Sequence, residues 1–189
     1  TVNSLHLKKY SKQLEELQKT RSIYGLGISY RGKKFLSHMP DNIDYSNVVF
    51  HMILGIDTLE DCLEVRKWAL CHGIQPKILL LGYKTFGKGE DYYSNEVQEK
   101  IDKWYYSLQT LMNIGNVTIS FDNLAISQLQ LRKILNENMW NQLYQGNDGE
   151  HTFYIDAVEE KVARTSTSYE RFSFNENDTI KTIFNKVKL

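Results

Sequence analysis

The sequence predicts an α/β protein built on parallel strands, with an antiparallel β-hairpin and a short helix at its carboxyl end. Three observations carry this reading. Four short apolar runs recur within residues 1–145, amphipathic stretches of helical period separate them, and beyond them two strand-like runs flank Glu159-Glu160. Apolar strands alternating with helices form right-handed βαβ units. Their parallel sheet belongs either to an open doubly wound fold or to part of a (β/α) barrel.

Each element has a local reason. Leu7, Tyr10, Leu14 and Leu17 recur at helical spacing behind Ser4, a capping residue, so residues 4–19 are expected to form an amphipathic helix. Residues 24–30 (YGLGISY) are the first strand, and residues 48–54 (VVFHMIL) are apolar almost throughout, as a strand buried on both faces would be. Asp57 and Thr58 open a helix that runs through Cys71 and ends at Gly73 and Pro76. Residues 77–84 (KILLLGYK) are the next apolar strand. Val97, Ile101, Trp104, Tyr105, Leu108, Leu111 and Met112 then trace one helical stripe, stopped by Gly115.

Residues 117–122 (VTISFD) form the fourth strand, and Leu124, Leu131, Leu135 and Leu143 mark the helix behind it. Residues 151–158 and 161–167 make the hairpin, and residues 178–188 the closing helix. There is no internal repeat and there are only two prolines, so the chain reads as one domain, 1–189: a βα part over 1–145, then the hairpin and helix over 146–189.

Composition excludes several classes of function. Hydrophobic residues make up 41% of the chain and aromatics 12%, which describes a folded protein rather than a disordered one. Lysine plus arginine and aspartate plus glutamate both total 23, so no global field draws in nucleic acid or an anionic membrane. No apolar run approaches the roughly 20 residues of a membrane span. Thr1 is followed by no apolar signal region, so the reading is cytoplasmic, with the natural start expected upstream. Cys62 and Cys71 stand nine residues apart in one helix, on opposite faces and about 13 Å apart along its axis. They cannot share a metal there, and a thiolate-ligated iron–sulfur cluster generally needs more cysteines than this chain has.

In parallel α/β folds ligands gather at the carboxyl ends of strands. That rule selects Ser29 and Arg31, His51 and Gly55, Tyr83 and Lys84, and Ser120 and Asp122. His51, inside an apolar strand, is either a hydrogen-bonded core histidine or a group facing a wet cavity. Lys84 and Asp122 stand where strands normally turn polar. Residues 82–89 (GYKTFGKG) nearly spell a phosphate loop, but Gly89 replaces the hydroxyl that would hold magnesium and no helix follows at once. The Gly25-Leu26-Gly27 pair lacks the third glycine of a dinucleotide fingerprint. Cys/His metal spacing, a nucleophile elbow and a close carboxylate pair are all absent from the sequence, which predicts no metal ligands.

The segment 48–87, VVFHMILGIDTLEDCLEVRKWALCHGIQPKILLLGYKTFG, resembles the second half of the radical S-adenosylmethionine enzyme core. In that family the fifth barrel strand ends in glycine, a threonine opens the helix with acidic residues behind it, and a second glycine precedes the sixth strand. Gly55, Thr58 with Glu60 and Asp61, and Gly73 fill those places. Residues 24–30 match the fourth strand, and the likeness runs in order over about residues 1–125, more loosely into the tail.

The resemblance implies a partial (β/α) barrel and a set of sites. Ser29 would serve the ribose of S-adenosylmethionine, Ile53, Leu54 and Gly55 would pack on the adenine, and the backbone of Leu81, Gly82 and Tyr83 would edge it. His51, Lys84, Asp122 and Asp156 would be catalytic candidates on the substrate side. The family's CxxxCxxC motif is absent from this sequence, so the 4Fe–4S cluster would be held only in a complete enzyme and not by this chain. The partners so implied are the amino-terminal half of the barrel and a small-molecule or peptide substrate; the charge balance and hydropathy themselves point to no clear nucleic acid and no membrane. The alternative is a non-catalytic α/β module that binds a nucleotide or a protein.

Overall fold

The computed structural model describes residues 1–188, with the side chains of all of them except Ser4 and Leu5. Residues 1–134 form one compact unit and the chain from Leu135 onward a second.

In the first unit, β1 (Val2–Asn3), β2 (Leu26–Ser29), β3 (Val48–Ile53), β4 (Lys77–Leu81) and β5 (Thr118–Phe121) lie side by side in chain order. All four pairings are parallel. The connections are helical: α1 (Ser4–Leu7) and α2 (Ser11–Lys19), then α3 (Lys33–Leu36), α4 (Leu59–Cys71) and α5 (Asn95–Asn113), with α6 (Asn123–Gln128) and α7 (Leu131–Ile134) after β5. When each strand pairs with the next and every crossover has the same hand, all connections fall on one face of the sheet. That is the arrangement of a partial (β/α) barrel, as expected.

Burial follows from this topology. Ile28, Phe50, Met52, Ile78 and Leu80, each at most 1% exposed, point into the helix layer. The Trp68 ring of α4 meets Phe50 at 5.6 Å between centroids, and the Cys62 thiol lies 3.5 Å from the Met52 sulfur. Gly27, Ser29, Val49, His51, Leu79 and Leu81 alternate with the buried set and remain partly exposed on the opposite face. Residues 48–54, expected to be buried on both faces, are therefore buried on one. A single helix layer covers this sheet.

Helix boundaries follow local chemistry. Thr58 caps α4 through a complete capping box with Asp61. α5 buries Val97, Ile101, Trp104, Leu108 and Leu111, whereas Tyr105 and Met112, at the edges of the same stripe, stay exposed. The helix expected over 4–19 is interrupted by a turn at residues 8–10, and β1 and α3 are short elements that periodicity does not signal. The helix expected through Leu143 breaks after α6, where Gln130 takes a φ of +51°, and again where Asn136 caps α8 (Glu137–Leu143). The first compact unit ends with α7 at Ile134, and the second begins at Leu135.

In the second unit β6 (Tyr154–Asp156) and β7 (Lys161–Ala163) form the expected antiparallel hairpin, and β8 (Phe172–Ser173) adds an unforeseen third strand beside β7. α9 (Ile180–Val187) packs Ile183 and Val187 on Val162, ringed by Phe153, Phe172, Phe174 and Phe184. No helix among the described residues is long and apolar enough to cross a membrane.

Candidate ligand site at the strand ends

A cleft of about 400 Å³ opens at the carboxyl ends of β2, β3 and β4. This size lies within the range of small-molecule sites. Three strands build it. β2 delivers Ser29 and the following Tyr30 and Arg31, β3 delivers His51 and Ile53, and β4 delivers Leu81. The turn from β3 into α4 closes it with Ile56, Asp57 and Asp61.

The register explains this grouping. Ser29 pairs with His51 across β2 and β3, and Ile53 with Leu81 across β3 and β4, so all four share the face without helices. A Cβ on Gly27 would come within 2.8 Å of His51 Nε2. Glycine there leaves room for the imidazole to lie against β2, and burial holds the His51 pKa below its ordinary value. The ring is thus a neutral donor and acceptor near neutral pH.

Two carboxylates meet different fates. Asp61 is fully engaged: Oδ1 accepts the Tyr30 hydroxyl at 2.9 Å, and Oδ2 accepts the Thr58 amide at 2.9 Å and the Thr58 hydroxyl at 3.0 Å. Burial and this carboxylate together push the Tyr30 phenol up. Asp57 is 9% exposed, and its Oδ2 accepts the Ile53 amide at 2.6 Å. Its backbone carbonyl accepts the Trp104 indole N–H at 2.8 Å, anchoring the turn to α5. Burial raises its pKa to about 6, against the opposing pull of the Ile53 amide and the Arg31 charge. Apolar surface completes the site, since Ile53 is 40% and Ile56 51% exposed.

The cleft therefore unites Ser29, Arg31, His51, Ile53 and Leu81 of the residues the sequence singled out. Others lie elsewhere. Leu54 is fully buried among the helices, and Gly55, at φ +80°, lets the turn approach Val97, whose Cγ1 would sit 2.7 Å from an added Cβ. The Gly82 amide donates to Asp122 Oδ1 at 2.9 Å, and the Tyr83 amide donates to Gln128 Oε1 at 2.9 Å. Those backbone groups, expected at the adenine edge, are occupied by α6 and its cap. Asp122 is itself that cap, accepting the Ala125 amide at 2.7 Å.

Lys84 is exposed, its ammonium 5.8 Å from the Phe86 ring centroid. The near-phosphate loop folds into a 3₁₀ turn over Gly87–Tyr92, closed by the Tyr83 hydroxyl on the Gly89 carbonyl at 2.8 Å. Asp156 belongs to the second unit, where it pairs with Arg171 at 3.1 Å and accepts the Val158 and Glu159 amides of the hairpin turn. Sequence reasoning missed Tyr30, Asp57 and Asp61 as site residues. The available signal is Asp57-Thr58 directly behind an apolar strand, a pattern that equally marks a helix start.

Among the described residues no three His, Cys, Asp or Glu side chains are grouped to hold a metal ion. Comparison of the chain with protein-family models, with curated proteins and with solved structures returned no match.

Proposed function

We propose that this chain binds the adenosine part of S-adenosylmethionine in the strand-end cleft, as the carboxyl-terminal half of a radical S-adenosylmethionine barrel. The 4Fe–4S cluster and its cysteines would come from outside these residues. One observation carries the reading: Ser29, Ile53 and Leu81, assigned to ribose and adenine by the family resemblance, line a single cleft of nucleoside-accommodating size. The donor set fits that ligand. A hydroxyl at Ser29 serves a sugar, and Ile53, Ile56 and Leu81 offer an apolar ledge to a flat base.

In this reading Leu54, Gly55, Gly82 and Tyr83 shape the strand ends without touching the ligand, and His51 stands closest to the substrate side. Lys84, Asp122 and Asp156 take no part. The occupied amides of Gly82 and Tyr83 favour a second reading, a nucleoside-binding module without radical chemistry.

Equilibrium dialysis with S-adenosylmethionine and with adenosine tests both. Ser29→Ala should weaken binding by about threefold to tenfold, the worth of one hydrogen bond, and Ile53→Glu should abolish it. Adenosine binding as tightly as S-adenosylmethionine supports the second reading. If neither ligand binds, or if both variants bind like the parent, the cleft is not a nucleoside site.

A further inference from the structure

We propose that Asp57 is the base-selecting residue of the cleft, its free carboxyl oxygen accepting a hydrogen bond from the exocyclic amino group of a nucleobase laid on Ile53, Ile56 and Leu81. This inference rests on the nucleoside reading of the same cleft and adds the residue that chooses the base.

The geometry singles out one atom. Of the two carboxylates lining the cleft, Asp61 has both oxygens engaged by Tyr30 and Thr58. Asp57 Oδ2 is held by the Ile53 amide, which fixes the plane of the carboxyl. Oδ1 accepts no hydrogen bond from any described residue, although the residue is only 9% exposed. A buried acceptor without a donor costs free energy that a ligand donor recovers. Arg31 acts on Asp57 through its charge but makes no hydrogen bond to it.

The surroundings choose the class of donor. Ile53, Ile56 and Leu81 line the same cleft as Asp57, so the donor belongs on a flat apolar body and not on a hydrated ammonium. A like-signed Arg31 nearby further disfavours an alkylammonium ion. Burial also disfavours a second buried charge beside the carboxyl, which suits an uncharged donor.

Three nucleosides of nearly equal size provide the test on the intact chain: adenosine, purine riboside, which lacks the amine, and inosine, which carries a carbonyl in its place. The parent protein should bind adenosine at least about tenfold tighter than purine riboside. Asp57→Asn keeps an oxygen for the Ile53 amide and turns an NH₂ donor toward the base. It should lower the adenosine-to-inosine affinity ratio by about tenfold or more, through weaker adenosine and stronger inosine binding. A gain for inosine cannot come from misfolding.

Equal affinity for adenosine and purine riboside, or an unchanged ratio in Asp57→Asn, overturns the role of Asp57 while leaving the nucleoside site standing. If no nucleoside binds the parent, or binding ignores Ile53→Glu, the site itself is wrong and this inference falls with it.

Discussion

Replacing Asp57 by asparagine should stabilise the first unit, by an amount that grows with pH. In the folded chain the carboxyl titrates near 6, against 3.8 for the free side chain, because burial disfavours its charged form. Below about pH 3.8 the group is neutral in both states and costs nothing. As pH rises the unfolded chain ionises first, so stability falls, and above about pH 6 the whole penalty is present. At roughly 1.36 kcal/mol per unit of pKa difference, the penalty at pH 7.5 is about 3 kcal/mol.

Asparagine preserves the Ile53 hydrogen bond, so most of that penalty should be recovered. Arg31 after β2, His51 on β3 and Tyr30 and Asp61 beside it are the charged or titratable groups of the cleft, and they are common to both proteins. Trp104 of α5 is uncharged. Their own titrations therefore largely cancel in the difference. Urea unfolding from pH 4 to pH 8 is the assay, followed by tryptophan fluorescence, since Trp68 and Trp104 both lie in the first unit. The variant should be about 2–3 kcal/mol more stable at pH 7.5, converging on the parent near pH 4. A variant equal to or less stable than the parent at pH 7.5, or a difference flat with pH, would refute a buried, reluctantly ionised carboxyl. Retaining such a residue makes physical sense if a ligand needs it, as strained groups gather at sites.

Gly82→Ala should cost about 1–3 kcal/mol in the same urea experiment, because its Cβ would lie 2.7 Å from the Ala125 amide nitrogen, a backbone atom that cannot turn aside. Unchanged stability would mean that α6 does not press on the end of β4. Thr58→Ala removes the capping box of α4 and should cost about 1 kcal/mol, with faster amide exchange in the first turn as the local signature. A thiol reagent should titrate one cysteine in the native protein and two in urea. Cys71 is exposed, whereas Cys62 is buried with its thiol pushed up by that burial, and two fast native thiols would contradict the packing of α4 on β3.

The alternation of strands and helices, the parallel sheet and the carboxyl-terminal hairpin are legible in the residue pattern alone. These are local matters: apolar runs of strand length, the Leu108 and Leu111 stripe, and the Thr58 cap all act over a few residues. Ser29, Arg31 and His51 are legible too, because the rule that sites sit at strand ends needs only strand positions, whereas Ile53 and Leu81 follow only from the family resemblance.

Which strand ends converge depends instead on packing between residues far apart in the chain. Leu54 and Gly55 directly follow Ile53, yet the pleat and the turn send them into the helix layer, and Gly82 and Tyr83 are captured by Asp122 and Gln128 from 40 and 45 residues away. Asp57 shows the same limit most clearly. Nothing local distinguishes an aspartate ahead of a helix that is solvated from one that is sealed under α5, because burial depends on Trp104, 47 residues further along the chain.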